Sequence, residues 1–298
     1  MGHSHTHTAA SYGRAFAIGV ALNLGFVIVE AIYGRFSHSL ALVADAGHNF
    51  SDVLGLALAW GATKLARRRP TTERTYGFRR SSILAALINA AFLLISGGAI
   101  AWEAIGRLGN PNVVSETTVI WVASIGILIN AGTALMFMSG RKRDMNIRGA
   151  FLHMAADALI SLGVVLTALV ILNTGWLWLD PLVSLIIVAL IVYGTWDLLR
   201  GSLNLALDAV PEGIDMGDVR KYLSALPSCI DVHDLHVWGM STTETALTAH
   251  VFMEKVCDDA LLAKVTEDLH ERFGIEHTTL QVEFGDPTYP CRCRLTPV

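Results

Sequence analysis

The chain has 298 residues, 53% of them hydrophobic and only 16% charged, with a formal net charge of −4. Soluble domains carry roughly 25% charged residues, so this composition excludes an ordinary soluble globular protein and points to a membrane protein. The basic residues sit in short inter-helix loops and form no continuous stripe, which excludes a nucleic-acid-binding surface.

The N-terminus, Met1-Gly2-His3-Ser4-His5-Thr6-His7, lacks the basic-then-apolar layout of a cleavable signal peptide. Residues 1–13 read as a short tail: either a metal-collecting one, given His3, His5 and His7, or an unstructured terminus. An apolar run over 16–34, broken only by Asn23 and Glu30, is long enough to cross a hydrocarbon core of about 30 Å. Further runs cover 38–63, 81–102, 117–140, 149–172 and 181–196, predicting six transmembrane helices within 14–207. The loop after the second run holds Lys64, Arg67, Arg68, Arg69, Arg74, Arg79 and Arg80; the loop after the fourth holds Arg141, Lys142, Arg143 and Arg148. The opposite loops are nearly free of basic residues, with only Arg35 and Arg107, so both termini are expected in the cytoplasm.

From Asp208 the composition becomes that of a small soluble domain, 208–298. Helical spacing over 215–226 and 258–273 and alternation over 230–240, 245–255 and 278–284 predict the order α-β-β-α-β, an α+β layer. All four cysteines lie in this third (Cys229 and Cys257 as ordinary structural positions, Cys291 and Cys293 as a C-x-C pair), and a cytosolic setting would keep them reduced.

Two stretches carry the chemistry. Ala44–Asp52 and Phe151–Asp157 each hold a histidine and an aspartate four residues apart within an apolar run: His48 with Asp52, and His153 with Asp157. On a helix such pairs share one face. Two helices facing each other would converge two imidazoles and two carboxylates, a mixed N and O set suited to tetrahedral Zn²⁺. Ionisable groups at mid-membrane cost a few kcal/mol on insertion scales and mark functional sites. The blander reading, each aspartate paired with a histidine inside a packed bundle, does not account for the same spacing occurring twice. Asp45, one turn before His48, is open between a fifth ligand, an acceptor orienting His48, and a boundary pair. Asn23, Asn49, Asn89 and Asn130 read as interhelical hydrogen-bond partners.

The segments Ser39–His48 with Asp52, Tyr76-Gly77-Phe78-Arg79-Arg80, and Asn146–His153 with Asp157 resemble the cation diffusion facilitator family, of zinc-exporting, compact bacterial type. The resemblance covers nearly the whole chain. It implies a transport site on the second and fifth spans, hence His48, Asp52, His153 and Asp157. It also implies a homodimer in the lipid bilayer of the inner (plasma) membrane, with a metallochaperone-like cytoplasmic domain that binds Zn²⁺. Strand parity puts His236, His250 and Glu283 on polar faces, and relatives bind zinc at matching positions; Cys291 and Cys293 join them as soft ligands. His233 and His277 are lesser candidates. In some relatives a basic and an acidic residue form a charge interlock, here Arg80 with Asp208. Two departures bear on the metal sites: residues 65–80 contain no histidine, which predicts no metal site in that loop, and Ser82 stands where many relatives carry glutamate.

The function so predicted is efflux of a divalent metal, Zn²⁺ before Cd²⁺ or Co²⁺, by alternating access with protons as counter-ion. An imidazole with an ordinary pKa of about 6.5 lets metal and proton compete near neutrality. An intramembrane metalloenzyme would want His-Glu-x-x-His on a span, which is absent. A membrane-anchored metal sensor would not need paired buried carboxylates.

Overall fold

The computed structural model describes residues 9–138 and 145–284. Six long helices come first: α1 (Ala9–Phe36), α2 (Leu40–Ala66), α3 (Ser81–Gly109), α4 (Glu116–Phe137), α5 (Met145–Thr174) and α6 (Leu179–Ala206). At a rise of about 1.5 Å per residue the shortest spans about 33 Å, enough for a bilayer core. Among the described residues, four segments are both long and apolar enough to cross a membrane: Ser81–Gly109, Glu116–Met136, Phe151–Thr174 and Leu179–Ala206. The second helix falls short on composition rather than length, since Asp45, His48, Asn49 and Asp52 interrupt it. Large apolar side chains such as Ile95, Trp102, Trp121, Leu128 and Tyr193 point outward, which water would penalise and lipid tails would not.

By internal packing the chain forms two compact units, Met1–Ala57 with Asn89–Asp197, and Leu58–Ile88 with Leu198–Val298. In the first, small and β-branched side chains dominate the core: Ala44, Ala123, Val164 and Ala168 pack with Phe26 and Leu42. Small residues let helix backbones approach closely. Gly126 on α4 is an instance, because a Cβ there would lie 2.7 Å from the Phe26 ring and 3.3 Å from Ser161 Oγ. Asp180, in the first turn of α6, accepts hydrogen bonds from Ser39 Oγ, Leu40 N and Ala41 N. It therefore caps the orphan amides at the start of α2 from a different helix.

In the second unit, α7 (Met216–Ser224), β1 (Cys229–Gly239), β2 (Thr245–Met253), α8 (Asp259–Phe273) and β3 (His277–Phe284) follow the predicted order. Asp215 and Asp258 cap the two helices, and Gly274 closes α8 at φ +67°. The sheet order is β1-β2-β3, with β1 antiparallel and β3 parallel to β2. Leu247, Ala249 and Val251 on β2 are buried together with Val219 and Leu223 of α7 and Val265 and Leu269 of α8. Phe284, at the end of β3, is 46% exposed. The ladder slips between His233 and His236, where Asp234 takes φ +50°. Such a bulge adds one residue and re-aims the side chains on either side.

The basic segment between α2 and α3 packs within this same unit. Arg79 Nη1 contacts Glu244 Oε2 at 3.0 Å and His277 Nε2 at 2.6 Å. The guanidinium can only donate, so the His277 ring nitrogen accepts and is not free to ligate. Arg80 Nη2 pairs with Asp208 Oδ1, and Thr242 N donates to Ser82 Oγ.

Candidate metal-transport site and cytoplasmic cluster

α2 presents His48 and Asp52 one turn apart, and α5 presents His153 and Asp157 likewise. The structure brings all four together. His48 Nε2 lies 3.8 Å from Asp52 and 3.5 Å from Asp157; His153 Nε2 lies 3.3 Å from Asp52 and 3.7 Å from Asp157. Nitrogen and oxygen thus alternate around a closed ring, with the two imidazoles across from each other at 6.3 Å between centroids. Ligands about 2.0–2.2 Å from a tetrahedral Zn²⁺ are separated by edges of about 3.3–3.6 Å. The four nitrogen–oxygen edges are at that length or a few tenths above it; His48, Asp52 and Asp157 offer ligand atoms within 4.8 Å of one another, and His153 stands outside that trio, joined to it through Asp52 and Asp157. The buried oxygens Asp52 Oδ2 and Asp157 Oδ1, both on this ring, have no hydrogen-bond partner, which leaves their lone pairs available to an ion.

Asp45 is fully buried, but it is not turned to His48. Its Oδ2 accepts from Ser161 Oγ at 2.8 Å and its Oδ1 from Asn49 Nδ2 at 3.4 Å. The same Asn49 amide donates to Glu30 Oε2 at 3.1 Å. Asp45 therefore ties α2 to α5, and neither a fifth-ligand place nor a bond to His48 Nδ1 is made. Among the four asparagines, Asn49 bridges α1 and α2, and Asn23 reaches Met154 Sδ on α5. Asn130 has no side-chain partner. Glu30, Ser161 and Asp180 escaped the sequence reading as parts of this scaffold. Glu30 is visible as a lone acid in an apolar run; the other two carry no local signal.

In the cytoplasmic unit a second cluster forms on the polar sheet face. His250 Nδ1 lies 2.7 Å from Glu283 Oε1, and His233 Nε2 lies 3.4 Å from Glu283 Oε2. His233 Nδ1 is 3.4 Å from Asp231, and the two imidazoles are 5.3 Å apart. His233, His250 and Glu283 each offer a ligand atom within 4.8 Å of the others. The position expected for His236 is thus taken by His233. The bulge at Asp234 places both histidines on one face, and His233 is the one in register with His250. His236 is further out, at 3.0 Å from Asp234 Oδ1, and lines a cavity of about 890 Å³ with Arg74, Arg79 and Trp238. Both His233 ring nitrogens are buried without a hydrogen-bond partner beside carboxylates, which suits a metal-binding trio. Burial pushes the Cys229 thiol up, so this cysteine stays a neutral structural side chain. Cys291, Cys293, His3, His5 and His7 lie outside the described residues.

The sequence matches the cation efflux transmembrane domain over residues 16–205 and the cation efflux protein cytoplasmic domain over 211–284. The chain belongs to the cation efflux family. As a family member it is an integral membrane transporter of cations and not an enzyme. Similar relatives include a cadmium, cobalt and zinc/H(+)-K(+) antiporter of Bacillus subtilis, 35% identical over 95% of this chain and 92% of the relative. The metal cation efflux system protein CzcD of Cupriavidus metallidurans is 36% identical over 97% and 91%, and the zinc transporter ZitB of Escherichia coli 35% over 99% and 96%. Among solved structures, the metal-bound C-terminal domain of CzcD is 30% identical over 24% of this chain and 99% of that one, at a TM-score of 0.22.

Proposed function

We propose that this cation efflux protein exports Zn²⁺ from the cytoplasm in exchange for protons, carrying the ion on His48, Asp52, His153 and Asp157. The closed ring of alternating imidazole and carboxylate between α2 and α5 is the observation that carries this reading. Two carboxylates balance the charge of the ion, and two imidazoles favour a borderline-soft metal over Mg²⁺ or Mn²⁺. Exposure falls from His153 (41%) and Asp52 (29%) to His48 (19%) and Asp157 (2%). The open pair stands nearer the C-terminal end of α2 and the N-terminal end of α5, the ends that adjoin the basic loops. On the positive-inside rule that is the cytoplasmic side, where neutral imidazoles and ionised aspartates would load the metal. After the helices rock to expose the same ligands outside, protons would displace it. One pH unit drives a tenfold gradient per proton, about 1.4 kcal/mol.

The working unit would be a homodimer in a bacterial inner membrane, with both termini cytoplasmic and a boundary near 207/208 between the bundle and the soluble domain. The name of the Escherichia coli relative supports zinc as the substrate, and that of the Bacillus subtilis relative, a zinc/H(+)-K(+) antiporter, supports the proton as counter-ion. In proteoliposomes, an imposed pH difference should drive zinc accumulation against its gradient, and reversing that difference should reverse the flux. Zinc movement indifferent to pH would sink the exchange.

The cytoplasmic zinc site would comprise His233, His250 and Glu283, with Cys291 and Cys293 as further soft ligands. In an Asp157→Ala background, which disables the transport site, His233→Ala should weaken zinc binding at least about tenfold, as loss of a ligand does, while His236→Ala should stay within about threefold. Chelator-competition titration decides between them, and the reverse order would restore His236 to the trio. Arg80 and Asp208 are each about half exposed, 52% and 53%, so their pairing is screened by water. As an interlock, it predicts that Arg80→Asp and Asp208→Arg each lower zinc flux about threefold and that the double swap recovers it. No recovery would reduce the pair to a solvated contact.

A further inference from the structure

Glu30 is the one carboxylate on α1, and it is fully buried. Its Oε2 accepts the Asn49 amide, while its Oε1 has no hydrogen-bond partner. Among the described residues, the charged groups that act on it are Asp45 from α2 and Asp157 from α5, both acidic. Helix α4, which packs on α1, offers no titratable side chain beyond Glu116 in its first turn. An ionised carboxylate held away from water with no cation beside it costs several kcal/mol, and such a group takes up a proton instead. Two carboxyls linked through one amide also resist ionising together.

We propose that Glu30 is a proton-binding site separate from the four metal ligands, through which the counter-transported proton acts on both ligand-bearing helices. Binding forms one O–H bond on a Glu30 oxygen and removes one negative charge from the Glu30–Asn49–Asp45–Ser161 network. Asn49 directly follows His48 on α2, and Ser161 stands one turn beyond Asp157 on α5. With Glu30 protonated, the Asn49 amide is left to Asp45, which holds α2 to α5 through Ser161. With Glu30 ionised, the amide is drawn to α1 and that tie loosens. The unpartnered Oε1, deep in the unit, is where the proton would reside.

This inference rests on the proton-exchange reading above. The full chain, purified and reconstituted, is tested with Zn²⁺ alone as the probe. Glu30→Gln fixes the neutral form with little change of shape. It should bind zinc and carry zinc–zinc exchange at equal pH within about threefold of the parent, yet accumulate at least about tenfold less zinc under one unit of pH difference. It should also release about one fewer proton per zinc bound, read with an indicator in weak buffer. Glu30→Asp, which keeps a titratable carboxyl, should recover part of the coupling. Unchanged proton release and accumulation in Glu30→Gln overturns the proposal. So does loss of zinc binding in that variant, which would make Glu30 a packing residue. If the parent itself shows exchange without pH-driven accumulation, proton antiport fails as a whole, a result distinct from either.

Discussion

Asp157→Ala abolishes zinc flux in proteoliposomes, by at least about a hundredfold. Asp157 is almost fully buried and touches both imidazoles of the ring. With it gone, a divalent ion in a low-dielectric pocket meets one carboxylate instead of two. Removing one partner of a buried charge pair costs about 3–5 kcal/mol, and each 1.4 kcal/mol is a factor of ten. Asp157→Asn should be equally inactive, since it keeps the shape and loses the charge. Both variants should elute from size exclusion as the parent does, because the core around α5 rests on Val164, Val165 and Ala168 rather than on this carboxylate. Flux within threefold of the parent in Asp157→Asn would remove the charge-balance argument and with it the transport site.

His48→Asp lowers the ratio of zinc to cadmium transport by about tenfold, or about 1.4 kcal/mol of discrimination. The His48 ring is four-fifths buried and reaches Asp157 at 3.5 Å, so it sets one short edge of the cage. An aspartate is shorter and can bind through one oxygen or two. The cage then widens and its geometry becomes adjustable, conditions under which a larger ion is no longer refused. Replacing a borderline-soft nitrogen with oxygen also weakens the preference for zinc over harder ions, so manganese uptake should rise. Competition between isotopically labelled zinc and cadmium in the same vesicles reads the ratio directly. An unaltered ratio would place selectivity outside these four residues.

The order of residues and their packing in space contribute different things to this site. Spacing along one helix is local: four residues make one turn, so the His48/Asp52 and His153/Asp157 pairs were legible in the order of residues alone. Apolar run length likewise announced the long helices, and two-residue alternation over 245–255 announced the strand whose Leu247, Ala249 and Val251 are buried. That the two helical pairs meet in one ring depends on α2 and α5 packing together. The recurrence of the pair suggested this, and only packing decides it.

Where the tertiary structure departed from expectation, the cause is a contact distant in sequence or a slip in a local period. One extra residue at Asp234 shifts the strand, so that His233 rather than His236 stands beside His250 and Glu283. Asp180, in the first turn of its own helix, caps the start of α2, 140 residues away. Asp45 turned from the neighbouring His48 to Ser161 on another helix, and Glu30, read as a lone acid in an apolar run, shares an amide with it. A buried polar atom must find its partner wherever the fold provides one. The sequence by itself therefore determined which donors are available and how each pair is spaced. The tertiary structure decided which donors converge on one ring and which hold one another, because burial removes water as an alternative partner and only packing determines which groups remain within reach.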